Sequence, residues 1–92
     1  MIHHLEGRLA ERDESGRVVV EVGGIGLEAL VSLHTLREID GVGSDVRLLT
    51  HLSVREDAWT LFGFARAEER QVFRLLLGIQ GVGPRVALAI LS

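Results

Sequence analysis

Two stretches of this chain carry residue types and spacings able to do chemistry. The first is Gly81-Val82-Gly83-Pro84-Arg85. A Gly-x-Gly turn lets the backbone bend sharply and approach a ligand with no Cβ in the way. Proline is preferred at the first position of a helix, so a helix is expected to open at Pro84. The start of a helix presents unpaired N–H groups and the positive end of its dipole, which together form an anion site. Arg85, in the first turn, can add a charge-assisted contact to a phosphate. Gly-x-Gly alone is a weak signal. The same tripeptide occurs at Gly41-Val42-Gly43, but a strand pattern follows it and Arg47 stands where a small residue should be, so that copy reads as a loop. The surroundings of Gly81 are more informative. Leu76 and Ile79 before the turn, and Ala87, Ile90 and Leu91 after it, fit a helix-hairpin-helix pattern. Leu76 and Ile79 are expected to pack against Ile90 and Leu91, Ala87 to be small where the helices meet, and Val82 to plug the turn. A plain helical hairpin with a Gly-Val-Gly connector is the alternative.

The second stretch is Arg55-Glu56-Asp57. Taken alone, Glu-Asp at a hairpin tip is ordinary solvated turn chemistry. Two adjacent carboxylates could also hold Mg²⁺ for a nuclease, yet nothing else in the chain supplies the rest of such a site. His3, His4, His34 and His51 are scattered, and neighbouring strand residues such as His3 and His4 point to opposite faces. They read as surface or edge residues, and neither a metal site nor a cofactor is expected. Trp59, Phe62 and Phe64 admit a base-stacking platform, but core is the favoured reading.

These residues need a scaffold. Leu5, Gly7 and Leu9 alternate with Glu6, Arg8 and Ala10, the period of a half-buried strand. Asp13-Glu14-Ser15-Gly16 is turn chemistry. Valine-rich Arg17 to Val22 reads as a second strand, Gly23-Gly24 as a tight hairpin turn, and Ile25 to Ser32 as a third strand. Thr35 to Ile39 is expected to form one or two helical turns. Val46 to Val54 reads as a fourth strand, and Thr60 to Phe64 lies in a fifth. Five strands with a helix between the third and fourth point to a mainly β fold, an oligonucleotide-binding (OB) type barrel over residues 1–64. A small open sandwich is the rival. From Ala67 to Gly78 the period changes to that of a helix, with Val72, Phe73, Leu76 and Ile79 on one side and Glu68, Glu69, Arg70 and Arg74 largely on the other. The second helix, from Pro84 to Leu91, is apolar nearly all round and needs neighbours on several sides. Residues 65–92 therefore read as a helix-hairpin-helix unit that is cut short.

Composition sets outer limits. A chain of 92 residues buries only about 60% of the surface its unfolded form exposes. It has no cysteine, which fits a reducing cytoplasm. Met1-Ile2-His3-His4 lacks the basic region and apolar run expected of a signal peptide, and no apolar run is long enough for a membrane span. The net charge of −3 speaks against a nucleic-acid binder taken whole. Residues 1–64, however, hold six arginines against eleven carboxylates, whereas residues 65–92 hold four against two. A phosphate partner would face the second part. Every basic group except histidine is an arginine, the side chain that pairs bidentately with phosphate.

Read in order, the motifs Val54-Arg55-Glu56-Asp57, Leu61-Phe62-Gly63-Phe64, Glu69-Arg70 with Phe73, and Gly81 through Ser92 resemble the RuvA family of Holliday junction-binding proteins. Met1-Ile2 followed by Gly7, and Glu21-Val22-Gly23-Gly24-Ile25-Gly26, fit the same pattern, so the resemblance spans the chain. His3-His4 and Leu27, where the family often has tyrosine, depart from it. The resemblance implies an OB barrel, then a middle domain with two helix-hairpin-helix motifs, then a C-terminal domain that engages the hexameric ATPase RuvB. It implies a homotetramer, sometimes paired into octamers, on four-way junction DNA, with RuvC as a further partner, in the cytoplasm. Recombination, repair, the SOS response and branch migration are the implied settings. By this match Gly81, Val82, Gly83, Pro84 and Arg85 form the first phosphate-binding hairpin, and Glu56 and Asp57 an acidic pin at the junction centre. The second hairpin and the RuvB-binding domain are absent from the chain, so it is expected to be a non-catalytic DNA-binding piece. An assembly fragment with little DNA affinity of its own is the alternative.

Overall fold

The structure, a computed structural model, describes residues 1–92. The elements are β1 (His4–Asp13), β2 (Arg17–Val22), β3 (Ile25–Val31), α1 (Leu33–Glu38), β4 (Asp45–Val54), β5 (Trp59–Phe64), α2 (Ala67–Leu77) and α3 (Pro84–Leu91). The strands close into a barrel in the order β1-β2-β3-β5-β4. All neighbours run antiparallel except β3 and β5, which pair in parallel through only Leu30↔Phe62 and Val31↔Gly63. This is the five-stranded OB architecture that the strand count predicts, and the open sandwich is ruled out by closure.

β1 is longer than its alternation suggests because it serves two partners. Its first half pairs with β4 and its second half with β2, with an irregular register between Leu9 and Glu11. A bulge of this kind bends a strand and lets a sheet curl. Gly7 sits just before the change of partner. A Cβ there would lie 2.2 Å from the Glu21 carbonyl oxygen, so the close approach of β1 and β2 depends on its missing side chain.

Inside the barrel, Leu5, Leu9, Val18, Val20, Ala29, Val31, Val46, Leu48 and Leu61 form one apolar cluster, and Leu36 of α1 completes it. α1 begins where the Ser32 hydroxyl accepts from the Thr35 N–H at 3.0 Å, an N-cap. Arg12 reaches the other end of the helix and donates to the Leu36 and Ile39 carbonyls at 2.7 and 3.1 Å.

A second cluster lies outside the barrel wall. Along β5, Leu61 faces inward, while Phe62 and Phe64 face outward beneath α2 and α3. The Phe73 ring of α2 stands 5.3 and 5.0 Å from those of Phe62 and Phe64, and Ala87 is fully buried beside them. Burying three phenylalanines is worth about 2–3 kcal/mol each, so this cluster fixes the helical pair to the barrel.

Three expectations are corrected here. Trp59 is not core: it is 72% exposed, because it pairs with Val54 at the turn end of the β4–β5 hairpin, where no element covers it. Val72 and Ile79 are exposed rather than packed, since the buried side of α2 is rotated onto Glu69, Phe73, Leu76 and Leu77, and Ile90 is exposed because α3 packs through Ala87, Leu88 and Leu91. Glu69, assigned from its charge to the polar side, is buried, and its carboxylate accepts hydrogen bonds from the Ser32 and Thr35 hydroxyls. No helix is long and apolar enough to cross a membrane.

Candidate nucleic-acid interface

The two glycines of the Gly81–Arg85 turn do different work. Gly81 has φ +87°, a left-handed conformation that side chains with a Cβ rarely adopt. It lets the chain leave α2 and turn back, and the turn is closed by the Val82 N–H donating to the Ile79 carbonyl at 3.1 Å. Val82 folds its side chain onto the Phe62–Phe73 cluster, as its expected plug role requires. Gly83 is the N-cap of α3, with φ −87° and ψ 175°, an extended backbone open to any residue. A Cβ at Gly83 would meet no protein atom within 4 Å. The fold thus has no need of glycine at this position, and the space in front of it is free for a ligand.

α3 starts with Pro84 at its first turn and has no side-chain cap. The leading N–H groups of a helix have no partner within it, and here no hydroxyl or carboxylate of the protein occupies them. Arg85 is exposed in the same turn. The first helical N–H to be used internally is that of Ala87, which donates to the Gly83 carbonyl at 2.9 Å.

The acidic tip lies at the same end of the molecule. The turn between β4 and β5 is closed by the Arg55 N–H donating to the Ala58 carbonyl at 2.9 Å, which puts Glu56 and Asp57 at its apex. Both are exposed and neither forms an ion pair. Arg55 and Asp57 share a concavity of about 320 Å³ with Gly83, Pro84 and Arg85. The fold brings the two motifs together because α3 packs on the outward phenylalanines of β5, the strand that leaves the tip. No group of three or more His, Asp or Glu side chains is placed to hold a metal ion.

Sequence reasoning missed one grouping. His51 lies far from His3 and His4 in the chain, and nothing in the spacing joins them, yet both His3 and His51 meet α2. Arg70 donates to the His3 carbonyl at 2.9 Å and lies 3.2 Å from its Nε2, and Arg74 donates to His51 Nδ1 at 3.3 Å. His3 Nδ1 is 3.0 Å from His4 Nδ1. The Arg70 guanidinium holds the His3 pKa below its ordinary 6.5. Burial against Phe73, followed by Arg74 and Arg70, does the same to His51. The available signal was the i, i+4 spacing of Arg70 and Arg74, which places both on one side of a helix. His34, by contrast, sits apart and pairs with Glu38 at 3.1 Å.

Comparison with known proteins agrees with this architecture. Residues 1–63 match the family described as the RuvA N-terminal domain. The chain is 49% identical over 92 residues to the Holliday junction branch migration complex subunit RuvA of Polaromonas sp. strain JS666. It is 50% identical to the subunit of the same name from Rubrobacter xylanophilus and 48% to that from Neisseria meningitidis. All of this chain is covered in each case, against 48%, 46% and 47% of the respective relatives. The chain thus spans about half the length of the curated relatives it matches. On the barrel, the outer helical pair and these matches together, the chain belongs to the RuvA N-terminal domain family.

Proposed function

We propose that this chain is the junction-gripping part of a RuvA-type subunit: it binds Holliday junction DNA by shape and without reading sequence, and it serves ATP-driven branch migration by a RuvB partner. In this reading residues 1–64 form the barrel domain and residues 65–92 the first helix-hairpin-helix motif of a middle domain. The free N–H groups at the start of α3, the approach opened by Gly81, Val82, Gly83 and Pro84, and the Arg85 guanidinium hold a backbone phosphate. Glu56 and Asp57 repel phosphate from the centre of a homotetramer or of two stacked as an octamer. The chain supplies no catalytic group; ATP hydrolysis belongs to RuvB and strand cleavage to RuvC, in the cytoplasm. The observation that carries this reading is the uncapped α3 N-terminus beside an unpaired acidic tip, both at one end of the molecule.

The physical argument is electrostatic. A carboxylate about 5 Å from a phosphate costs on the order of 1 kcal/mol even at the dielectric of water, and more where water is excluded. A continuous duplex crossing the tetramer centre must place phosphates against the tips, whereas a four-way junction has an open middle. Charge then selects shape by penalising the wrong ligand. The test is the ratio of junction to duplex dissociation constants, at fixed salt, for Glu56→Gln with Asp57→Asn in the full-length tetramer. The ratio is expected to shrink because duplex binding improves. An unchanged ratio in a protein that is still tetrameric refutes the pin.

A further inference from the structure

Arginine is used in two ways in this molecule. On the barrel Arg8, Arg12, Arg17 and Arg47 each have a carboxylate partner, as does Arg66 ahead of α2. The other five have none, although the chain carries 13 acidic residues against 10 arginines, and of these Arg37, Arg55 and Arg85 stand apart while Arg70 and Arg74 share one helix. They project from one side of α2 toward the start of the chain and β4. Arg70 is fixed by the carbonyls of His3 and Thr50 at 2.9 and 3.4 Å. Arg74 is held only by the His51 imidazole. His4 lies against His3, and Arg47 and Arg74 add positive charge around that pair. The one carboxylate paired with any of these groups is Glu6, 4.0 Å from Arg47. Beside the row, Ala67, Arg70, Gln71, Arg74 and Leu75 line an open concavity of about 380 Å³.

The hydrogen bonds also fix the protonation of the imidazoles. Guanidinium groups only donate, so His3 Nε2 and His51 Nδ1 must accept and stay unprotonated at those atoms. Crowded guanidinium and imidazole groups that no carboxylate neutralises repel one another, and an arriving anion removes that cost. An oxyanion placed between them accepts from both arginines and also stabilises the protonated imidazoles, which then donate. Arg74 stands in the last turn of the helix that leads into the hairpin. On the proposed reading of the hairpin, a strand gripped at Gly81–Arg85 would carry neighbouring phosphates toward α2.

We propose that the seam between α2 and the β1–β4 edge, built on His3, His51, Arg70 and Arg74, is a second phosphate site, that its ligand is the nucleic-acid backbone, and that binding there takes up protons. The seam is separate from the hairpin and does not depend on the acidic tip.

The experiment follows the imidazole and backbone amide signals of the 92-residue chain by NMR across pH, alone, with saturating four-way junction DNA, and with inorganic phosphate. With DNA, the His3 and His51 titrations should move upward by about one unit, a tenfold coupling between proton and DNA binding. In a parallel binding series, Arg74→Gln should make the slope of log K against log salt shallower by about 0.9, the contribution of one phosphate. The Gly81–Arg85 amides in the same spectra report the hairpin independently. If they respond to DNA while the imidazoles do not, the seam is refuted and the hairpin reading stands; the converse leaves the seam and refutes the hairpin. A response to inorganic phosphate but not to DNA overturns the nucleic-acid assignment. An unchanged salt slope in a folded Arg74→Gln protein overturns the phosphate contact.

Discussion

Replacing Glu69 by alanine should loosen the junction between barrel and helices. Glu69 is 8% exposed, and the two hydroxyls that donate to it, on Ser32 and Thr35, are fully buried. Those hydroxyls have other duties: Ser32 Oγ accepts from the Thr35 N–H and Thr35 Oγ1 from the Ala65 N–H, so neither can turn away. Removing the carboxylate leaves two buried O–H donors without an acceptor, at about 1–3 kcal/mol each, partly offset by the regained desolvation of the charge. The net loss is about 2–4 kcal/mol, a large share of the stability of a small domain. The midpoint of thermal unfolding should fall by roughly 8–30 °C, at about 4–8 °C per kcal/mol. Glu69→Gln keeps one acceptor and should cost about half as much. The assay is urea unfolding of wild type, Glu69→Ala, Ser32→Ala and the double variant, with slopes compared so that midpoints convert to free energy. The two sites should couple by about 1 kcal/mol or more. A loss below about 1 kcal/mol for Glu69→Ala, or strict additivity with Ser32→Ala, refutes the view that this carboxylate ties α2 to the start of α1.

Other outcomes follow from the same geometry. Gly83→Val should fold normally, because a Cβ there meets nothing within 4 Å, yet lose DNA binding more completely than Arg85→Ala; circular dichroism and gel shifts decide, and normal binding by folded Gly83→Val removes the α3 amides from the site. Gly7→Ala should cost about 2 kcal/mol or more, since its Cβ would lie 2.2 Å from the Glu21 carbonyl oxygen and strain of this kind is a recognised cause of large losses; near-neutral unfolding data would show that β1 and β2 can part there freely. His51 has a native pKa below its ordinary 6.5, so the unfolded chain binds the proton first. Stability should therefore fall as pH drops through about 6.5 and level off below the native pKa. His51→Gln should flatten that decline in a pH series of urea midpoints, and an unaltered decline assigns it to other groups.

Much of this was legible because it rests on local chemistry. Alternation in β1 to β5 and the change of period after Phe64 gave the elements, and Gly81 and Pro84 marked a turn and a helix start through backbone constraints carried by single residues. What was not legible depends on rotation and on distant partners. The apolar residues of α2 surround most of the helix, so period alone could not say that Phe73 and Leu77 face the barrel while Val72 and Ile79 do not. Glu69 reads as a surface charge until Ser32 and Thr35, more than thirty residues earlier, are brought to it. Trp59 reads as core by its size, yet only the strand register shows that it sits past the end of the covered wall.

The parallel contact between β3 and β5 is two residue pairs long, the shortest seam in the barrel. Leu30 and Phe62, which form one of those pairs, are also in the cluster beneath α2 and α3. The helical pair therefore acts as a clasp across the place where the barrel closes. Residues 65–92 cover the outer aromatic wall of the barrel, and a cut at Phe64 would expose that wall and leave the closing strands held by little. Parallel pairing is slow to form, and a seam of two residue pairs gains little alone, so closure should come late in folding, when the helices dock. The Gly81–Arg85 hairpin and the closure of the barrel then share one cooperative transition, and load placed on the hairpin reaches the β3–β5 seam directly.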